Sequence, residues 1–564
     1  MQVYVAYMGE KPRDQINVKP EQYSMLESVL GSYGRSFNGF AAKLSDEEVA
    51  RLSDVEGVIS VLPNTMLQLH TTRSWDFIGF IKSYVKDSEG GDVIIGIIDS
   101  GIWPEADSFS DEGFGPPPEK WKGSCSNPEN FTCNNKLIGA RYYNSLSFYH
   151  ESDIRSPRDG RGHGTHTAST AADILAAFDD AIADRVDIVS VSFGTPTNAQ
   201  YFDDPTTIGS FHAMRKGILT VASAGNDGPQ RAIVSNYAPW ILTVAATNSD
   251  RKFISQLILE NGQRFEGYAL NNVNLHGKSF LLIWGGDAAN VSGNVISLTS
   301  KYCYPGELDS NKVTGKIVLC EGRSDASGIT TAGGVGAIMP RRPFEHFALP
   351  FPLPATLINS EEIDKVLEYI RYSKNPEATV LVTESWKDDE APYIASFSSR
   401  GPSPISPDVV KPDISAPGVN ILAAWSPIAP LSPSKLDTRR IKYNMDSGTS
   451  MSCPHVSSAA AHVKATHPDW SPAAVKSALM TTAYLMDAEK HENEREFAYG
   501  SGLLNPVKAI DPGLVFNASE PDYNSYLCKQ GYNTTTLRLI TGERSVCRSP
   551  RTVEHGISII PHCH

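Results

Sequence analysis

The sequence predicts an α/β protein built on a parallel sheet, and three stretches carry that reading. "VIIGIID" (93–99), "DIVSVSF" (187–193) and "ILTVASA" (218–224) are short and almost wholly apolar, as strands covered on both faces are. Helical stretches separate them, the pattern of parallel strands joined by crossovers. Ligands of such sheets gather at the carboxyl ends of the strands. At 564 residues the chain exceeds one hydrophobic core, so two to four domains are expected.

The elements follow in order. Strand "VYVAYM", helix "EQYSMLESVL", strand "RSFNGFAAKL", helix "SDEEVARL" and strand "GVISVLP" make a small α+β module of about seventy residues, and Ser45 with Glu48 reads as a capping box opening the second helix. A polar linker, "NTMLQLHTTRSW", leads into the main sheet. From His166 to Arg185 no Gly or Pro interrupts an amphipathic pattern with Ile174, Leu175, Phe178 and Ile182 on one stripe. It predicts one helix of roughly 30 Å. From about Leu275 to Glu384 short strands such as "KIVLC" and "GAIM" among Gly-rich turns read as an inserted domain. The α/β texture returns at "APYIASFSSRGP" and fades after Asp511.

A net charge of −14 argues against a nucleic-acid or anionic-membrane partner, and no apolar run is long enough for a membrane span. The eight cysteines show no C-x-x-C spacing, so disulfides Cys125–Cys133 and Cys303–Cys320 are expected rather than zinc. No metal or cofactor pattern is present. Sequons begin at Asn130, Asn290, Asn517 and Asn533, as in a secretory glycoprotein. The opening "MQVYVAYMGE" lacks a signal peptide's basic and apolar regions: either the chain is not exported or its true beginning precedes Met1.

Three motifs carry chemistry. "IIDSG" ends a buried strand at Asp99, although such an Asp is commonly only a turn residue. "GHGTH" sets His163 between glycines before a helix; alone it would pass for a surface histidine. "SGTSMSCPHVSSAAAHV" puts Ser450 at the head of a helix, with Pro454 expected in its first turn. A hydroxyl becomes a nucleophile only when a base takes its proton and a third group fixes the base, roles these three residues can fill. Asn226 in "SAGNDGP", past the strand "ILTVASA", could offer its amide to a developing oxyanion, as could the N–H of Ser450. An α/β-hydrolase would need G-x-S-x-G and the order Ser, Asp, His; neither is present.

In this order "DSG", "HGTH", "AGN" and "GTSMSCPH" resemble the subtilisin-like serine proteases, and "TTRSWDF", "SPRDGRGHGTHTAST", "SSRGP" and "HPDWSPAAVKSALMTTA" resemble their plant, cucumisin-like branch. The resemblance implies a three-layer parallel-sheet peptidase. Its modules would be an inhibitor I9-type propeptide (1–70), a first peptidase S8 segment (71–274), a β-rich protease-associated insert (275–384), a second peptidase S8 segment (385–515) and a truncated fibronectin-III-like segment (516–564). It implies a triad of Asp99, His163 and Ser450, an oxyanion hole at Asn226, and a substrate pocket bordered by Ser192, Phe193, Gly194, Ser223, Ala224 and Gly225. It also implies a cut between His70 and Thr71, polypeptide substrates, the propeptide as intramolecular inhibitor, a homodimer through the insert, and an extracellular or cell-wall location. Cys453 is expected to be a buried small apolar residue rather than a reactive thiol.

The chain departs from that family. After residue 172 it lacks a Gly-rich loop, a strand that would lie beside the one ending in Asp99, and an edge segment that pairs with substrate; the long helix would then be a fusion of two. Ser458 stands where relatives have Gly. "KLIGARYYN" (136–144) is expected to slide inward and pair with "VIIGIID", rescuing its open edge. Loss of the substrate-pairing edge weakens orientation of the scissile bond. The alternative reading is therefore a catalytically impaired or inactive relative, or an incomplete gene model, acting as a binding protein through its insert.

Overall fold

The structure is a computed structural model. It describes residues 2–547 apart from 11–28, 34–36, 54, 56–57, 59, 64–72, 81–91, 126–130, 145–153, 167–170, 195–197, 276, 492–493 and 544–546. The chain divides into two compact units, Met1–Thr71 and Thr72–His564.

In the first unit β1 (Gln2–Glu10), β2 (Val29–Tyr33), β3 (Phe37–Leu44) and β4 (Ser60–Pro63) form an antiparallel sheet in the order β2-β3-β1-β4, with α1 at Asp46–Ser53. The Ser45–Glu48 box is present: Glu48 accepts from the Ser45 N–H at 2.7 Å, and its own N–H donates to Ser45 Oγ at 3.4 Å. The expected first helix ends differently, because Val29 and Leu30 belong to β2; its other residues and the His70–Thr71 cut lie outside the described residues.

The second unit opens with α2 (Ser74–Phe77) and β5 (Ile95–Ile98), followed by α3 (His163–His166), α4 (Ala171–Ala183), β6 (Ile188–Val191), α5 (Pro205–Arg215), β7 (Leu219–Ser223) and β8 (Ile241–Thr247). β9 (Arg251–Leu259), β10 (Arg264–Gly267), β11 (Phe280–Trp284), β12 (Ile317–Leu319), β13 (Gly336–Pro340), β14 (Ala355–Ile358), β15 (Glu377–Val380) and β16 (Glu384–Lys387) make a separate eight-stranded sheet in which β11 to β14 run parallel. Short helices α6 (Ser297–Ser300), α7 (Ser310–Val313) and α8 (Ser327–Thr331) and the longer α9 (Ser360–Tyr372) accompany that sheet. It takes in β9 and β10, ahead of the boundary expected at Leu275.

The chain then returns to the first sheet through β17 (Ile414–Pro417), adds the hairpin β18 (Ile421–Ala424) and β19 (Tyr443–Asp446), and ends in α10 (Thr449–Thr466), α11 (Pro472–Thr481), α12 (Glu496–Tyr499), α13 (Glu520–Lys529) and α14 (Thr534–Thr541). The main sheet is parallel throughout, in the order β17-β8-β7-β6-β5. Its side chains alternate as a doubly covered sheet requires. Ile188, Leu219 and Val221 join Cys453, Val456 and Ala460 of α10 on one face, while Val189, Val191 and Ala222 join Phe178 of α4 and Phe211 of α5 on the other.

Two expectations fail. Among the described residues β5 is the edge strand of the sheet, and Ile97 on it is 61% exposed. "KLIGARYYN" does not pair with it among the described residues: its one bridge joins Ala140 to Cys125. Arg141 is instead ion-paired to Asp184 and Asp180, and Tyr143 Oη donates to Asp180 Oδ2 at 2.5 Å, holding the segment at the end of α4. The expected fusion of α3 with α4 falls on residues 167–170, outside the described residues. At the other end, the described portion of 516–564 is helical rather than fibronectin-III-like. A Ser519–Asp522 capping box starts α13, and Leu527, Leu537 and Ile540 are buried with Phe211 and Trp240, so this segment completes the peptidase-side core.

Disulfides join Cys125 to Cys133 and Cys303 to Cys320, as expected, and also Cys528 to Cys547, a pairing that the spacing of the cysteines did not signal. Cys453 is free and buried. Ser458 is exposed, so its hydroxyl meets solvent. No helix among the described residues is long and apolar enough to cross a membrane.

Candidate active site

A helix start and two strand ends build the site. Ser450 is the second residue of α10, 5% exposed. Pro454 lies deeper in that helix than its expected first-turn position. Lacking an N–H, it cannot bond the carbonyl four residues back, that of Ser450. Ser192, just past β6, fills the gap: its hydroxyl donates to Ser450 O at 3.2 Å, and Ser450 Oγ donates to Ser192 O at 2.9 Å.

Asn226 follows β7, and Thr449 fixes its amide. The Thr449 N–H and hydroxyl both donate to Asn226 Oδ1 at 2.9 Å. A backbone N–H can only donate, so the amide oxygen must face it. Nδ2 is thereby turned toward Gly448, where an added Cβ would stand 3.3 Å from it and 3.6 Å from Ser450 N. Asn226 Nδ2 and the Ser450 nitrogen thus both lie beside Gly448.

A cavity of about 450 Å³ opens there, lined by Ser192, Phe193, Gly194, Ser223, Gly225, Asn226, Asp227, Ser235, Thr449 and Ser450. Ala224, expected on its border, is instead fully buried in the core. Asp227, Ser235 and Thr449 are additions. Ser235 arrives from a distant loop, which no local pattern signals, while Asp227 adjoins Asn226 in the same turn.

Asp99 directly follows β5 and lies against the His163 turn. A Cβ at Gly164 would lie 2.7 Å from Asp99 Oδ1 and 2.4 Å from Gly101 O, so only glycine allows this approach. Gly162, with φ +85°, is equally constrained, because a Cβ there would meet the Trp425 ring at 2.4 Å. Asp99 Oδ1 accepts from Ser100 N–H, while Oδ2 is buried with no hydrogen-bond partner. Burial, then the neighbouring Asp159 carboxylate, push its pKa well above the carboxylate range, with the Ser100 hydrogen bond opposing them.

Sequence reasoning missed Asp159. Fully buried, it accepts from the N–H groups of Arg161 and Gly162 at 2.9 Å and of Thr165 at 2.5 Å, which folds the turn that presents His163. The sequence hint was the Asp-Gly pair in "SPRDGRGHGTH". Asp446, also missed, ends β19 on the segment leading into Ser450; burial raises its pKa, and the Ser447 hydrogen bond and then the His163 charge oppose that rise.

Against known proteins, the subtilase family model matches residues 170–502 and the peptidase inhibitor I9 model matches residues 3–70. The subtilisin-like protease SBT4.3 of Arabidopsis thaliana is 45% identical over 604 residues, covering 98% of this chain and 81% of the relative. This chain belongs to the subtilase family. SBT4.6 and SBT4.12 of the same plant are 44% and 43% identical over 98% and 97% of the chain and over 82% and 80% of their own lengths. The subtilases are serine endopeptidases, and this one carries an I9 module ahead of its peptidase. Asn226 and Ser450 fall inside the matched family range, whereas Asp99 and His163 precede it. The SBT4.3 alignment is longer than the 564-residue chain, so that relative holds segments with no counterpart in this subtilase.

The sequon residues sit variously. Asn533 is exposed at the start of α14, Asn290 Nδ2 donates to Gly306 O, Asn517 Oδ1 accepts from Ser471 Oγ, and Asn130 lies outside the described residues.

Proposed function

We propose that this subtilase hydrolyses polypeptides in a secretory or extracellular compartment, with Ser450 as nucleophile, His163 as general base and Asp99 as its partner carboxylate. The observation that carries the reading is that Ser450 and Asn226 line one cavity, with Asn226 Nδ2 and the Ser450 nitrogen both beside Gly448.

For attack, Ser450 Oγ would leave Ser192 O and turn toward the imidazole. Attack on the scissile carbonyl would pass the hydroxyl proton to His163, and the oxyanion would face the two N–H donors. Collapse would return the proton to the leaving amine and leave an acyl-Ser450, which water then hydrolyses. The hydroxyl-lined pocket would take the side chain preceding the cut. The I9 module would inhibit the peptidase until cleavage between His70 and Thr71. Three disulfides support an oxidising compartment, and the eight-stranded sheet supports a protease-associated insert.

The second reading, an impaired enzyme, is favoured by the open edge at β5, which among the described residues has no outer neighbour. Expression of the full chain behind a signal peptide, with N-terminal sequencing and a quenched-peptide assay against Ser450→Ala, separates the two. Cleavage at Thr71 with Ser450-dependent hydrolysis supports the first; a folded, uncleaved, inactive product supports the second.

A further inference from the structure

We propose that Asp446 is a positioning residue for His163, a second carboxylate that orients and stabilises the imidazolium beside the nucleophile; this rests on the reading of His163 as general base. Asp446 ends β19 and leads through Ser447, Gly448 and Thr449 directly into Ser450. It is paired opposite Ile421 of β18, and α3, which begins with His163, packs against β18. The Ser447 N–H donates to Asp446 Oδ1 at 2.7 Å and fixes the carboxylate.

The charged surroundings are sparse. β18 holds no titratable group, β19 adds only Tyr443, and α3 contributes His163. Burial raises the Asp446 pKa; the Ser447 hydrogen bond and the His163 charge act against it. Asp99 contrasts with this. It directly follows an edge strand, has one unpartnered oxygen and is pushed up by burial and then by Asp159. Asp446, by comparison, is held in a hydrogen-bonded hairpin on the same rigid segment as the nucleophile, so it can keep base and hydroxyl in register.

A carboxylate near an imidazole favours the charged form, so its removal lowers the imidazole pKa. The test is an NMR titration of the full chain labelled with ¹⁵N-histidine, with His163 assigned by His163→Gln. Asp446→Asn is expected to lower the His163 pKa by about half a unit or more, to move the acid limb of kcat/KM down by the same amount, and to reduce kcat with KM little changed. Asp446→Glu, which keeps the charge, is expected to restore most of both and serves as the folding control. A His163 titration unmoved in folded Asp446→Asn, or moved only by Asp99→Asn, overturns the proposal. The titration reads even in an inactive protein, whereas hydrolysis surviving Ser450→Ala would sink the active-site reading alone.

Discussion

Ser192 and Ser450 exchange two hydrogen bonds, hydroxyl to carbonyl in each direction, at 3.2 and 2.9 Å. The exchange exists because Pro454 frees the Ser450 carbonyl from the α10 ladder. Ser192→Ala therefore strands a buried acceptor and is expected to cost about 1 to 3 kcal/mol. Pro454→Ala, which restores an N–H donor, should recover some of that loss in the double variant. Urea denaturation of the wild type, the single variants and the double variant measures the coupling.

On the proposed mechanism, Asn226 would serve the transition state rather than the bound substrate. Asn226→Ala is expected to lower kcat roughly a hundred- to a thousandfold with KM little changed, the range found for such a donor in a subtilisin. Steady-state kinetics on one peptide decides this; a rise in KM with kcat intact would make Asn226 a binding residue.

Beneath the site, Asp413 neutralises two cations. Lys411, fully buried, donates to its Oδ2 at 2.6 Å, and Lys476 lies 2.7 Å from its Oδ1. Burial would raise the Asp413 pKa, but Lys411 and then Lys476 outweigh it and hold the carboxyl below its ordinary 3.8. A depressed folded-state pKa gives stability that is present above 3.8 and lost as pH falls below it through the folded value. Asp413→Ala leaves both lysines uncompensated and is expected to cost about 3 to 5 kcal/mol at neutral pH. Chemical denaturation at neutral and acid pH checks both statements.

The β5 edge is an association hazard, since an exposed strand with an outward isoleucine invites pairing with another chain. Ile97→Lys is expected to reduce concentration-dependent aggregation in light scattering, with stability changed by less than about 0.5 kcal/mol. Unchanged aggregation would show that β5 is not the contact.

Some of this was legible in the sequence because its cause is local. Uninterrupted apolar runs read as the buried strands β6 and β7, and the Ser45–Glu48 spacing read as a cap. Asn226 directly after β7 and Ser450 at the head of α10 read as strand-end and helix-start positions, where their chemistry would be useful. What escaped depends on distant partners. The position of Pro454 makes sense only with Ser192 beside it, and Asp446 gains meaning only when β18 carries it to α3. "KLIGARYYN" looked like a strand for β5, but Arg141 finds Asp184 and Asp180 at the end of α4, a tertiary ion pair invisible to periodicity. The last helices bury Leu537 and Ile540 against Trp240, where the resemblance implied a fibronectin-III-like segment.

Ser450 as an activated nucleophile is the central claim, and labelling tests it most directly. The folded, purified chain is treated with a fluorophosphonate probe and the modified residue mapped by tandem mass spectrometry. A single adduct on Ser450, lost in His163→Gln and strongly slowed in Asn226→Ala, is the expected result. A folded chain that takes up no probe at Ser450, or takes it up equally well without His163, would contradict the account.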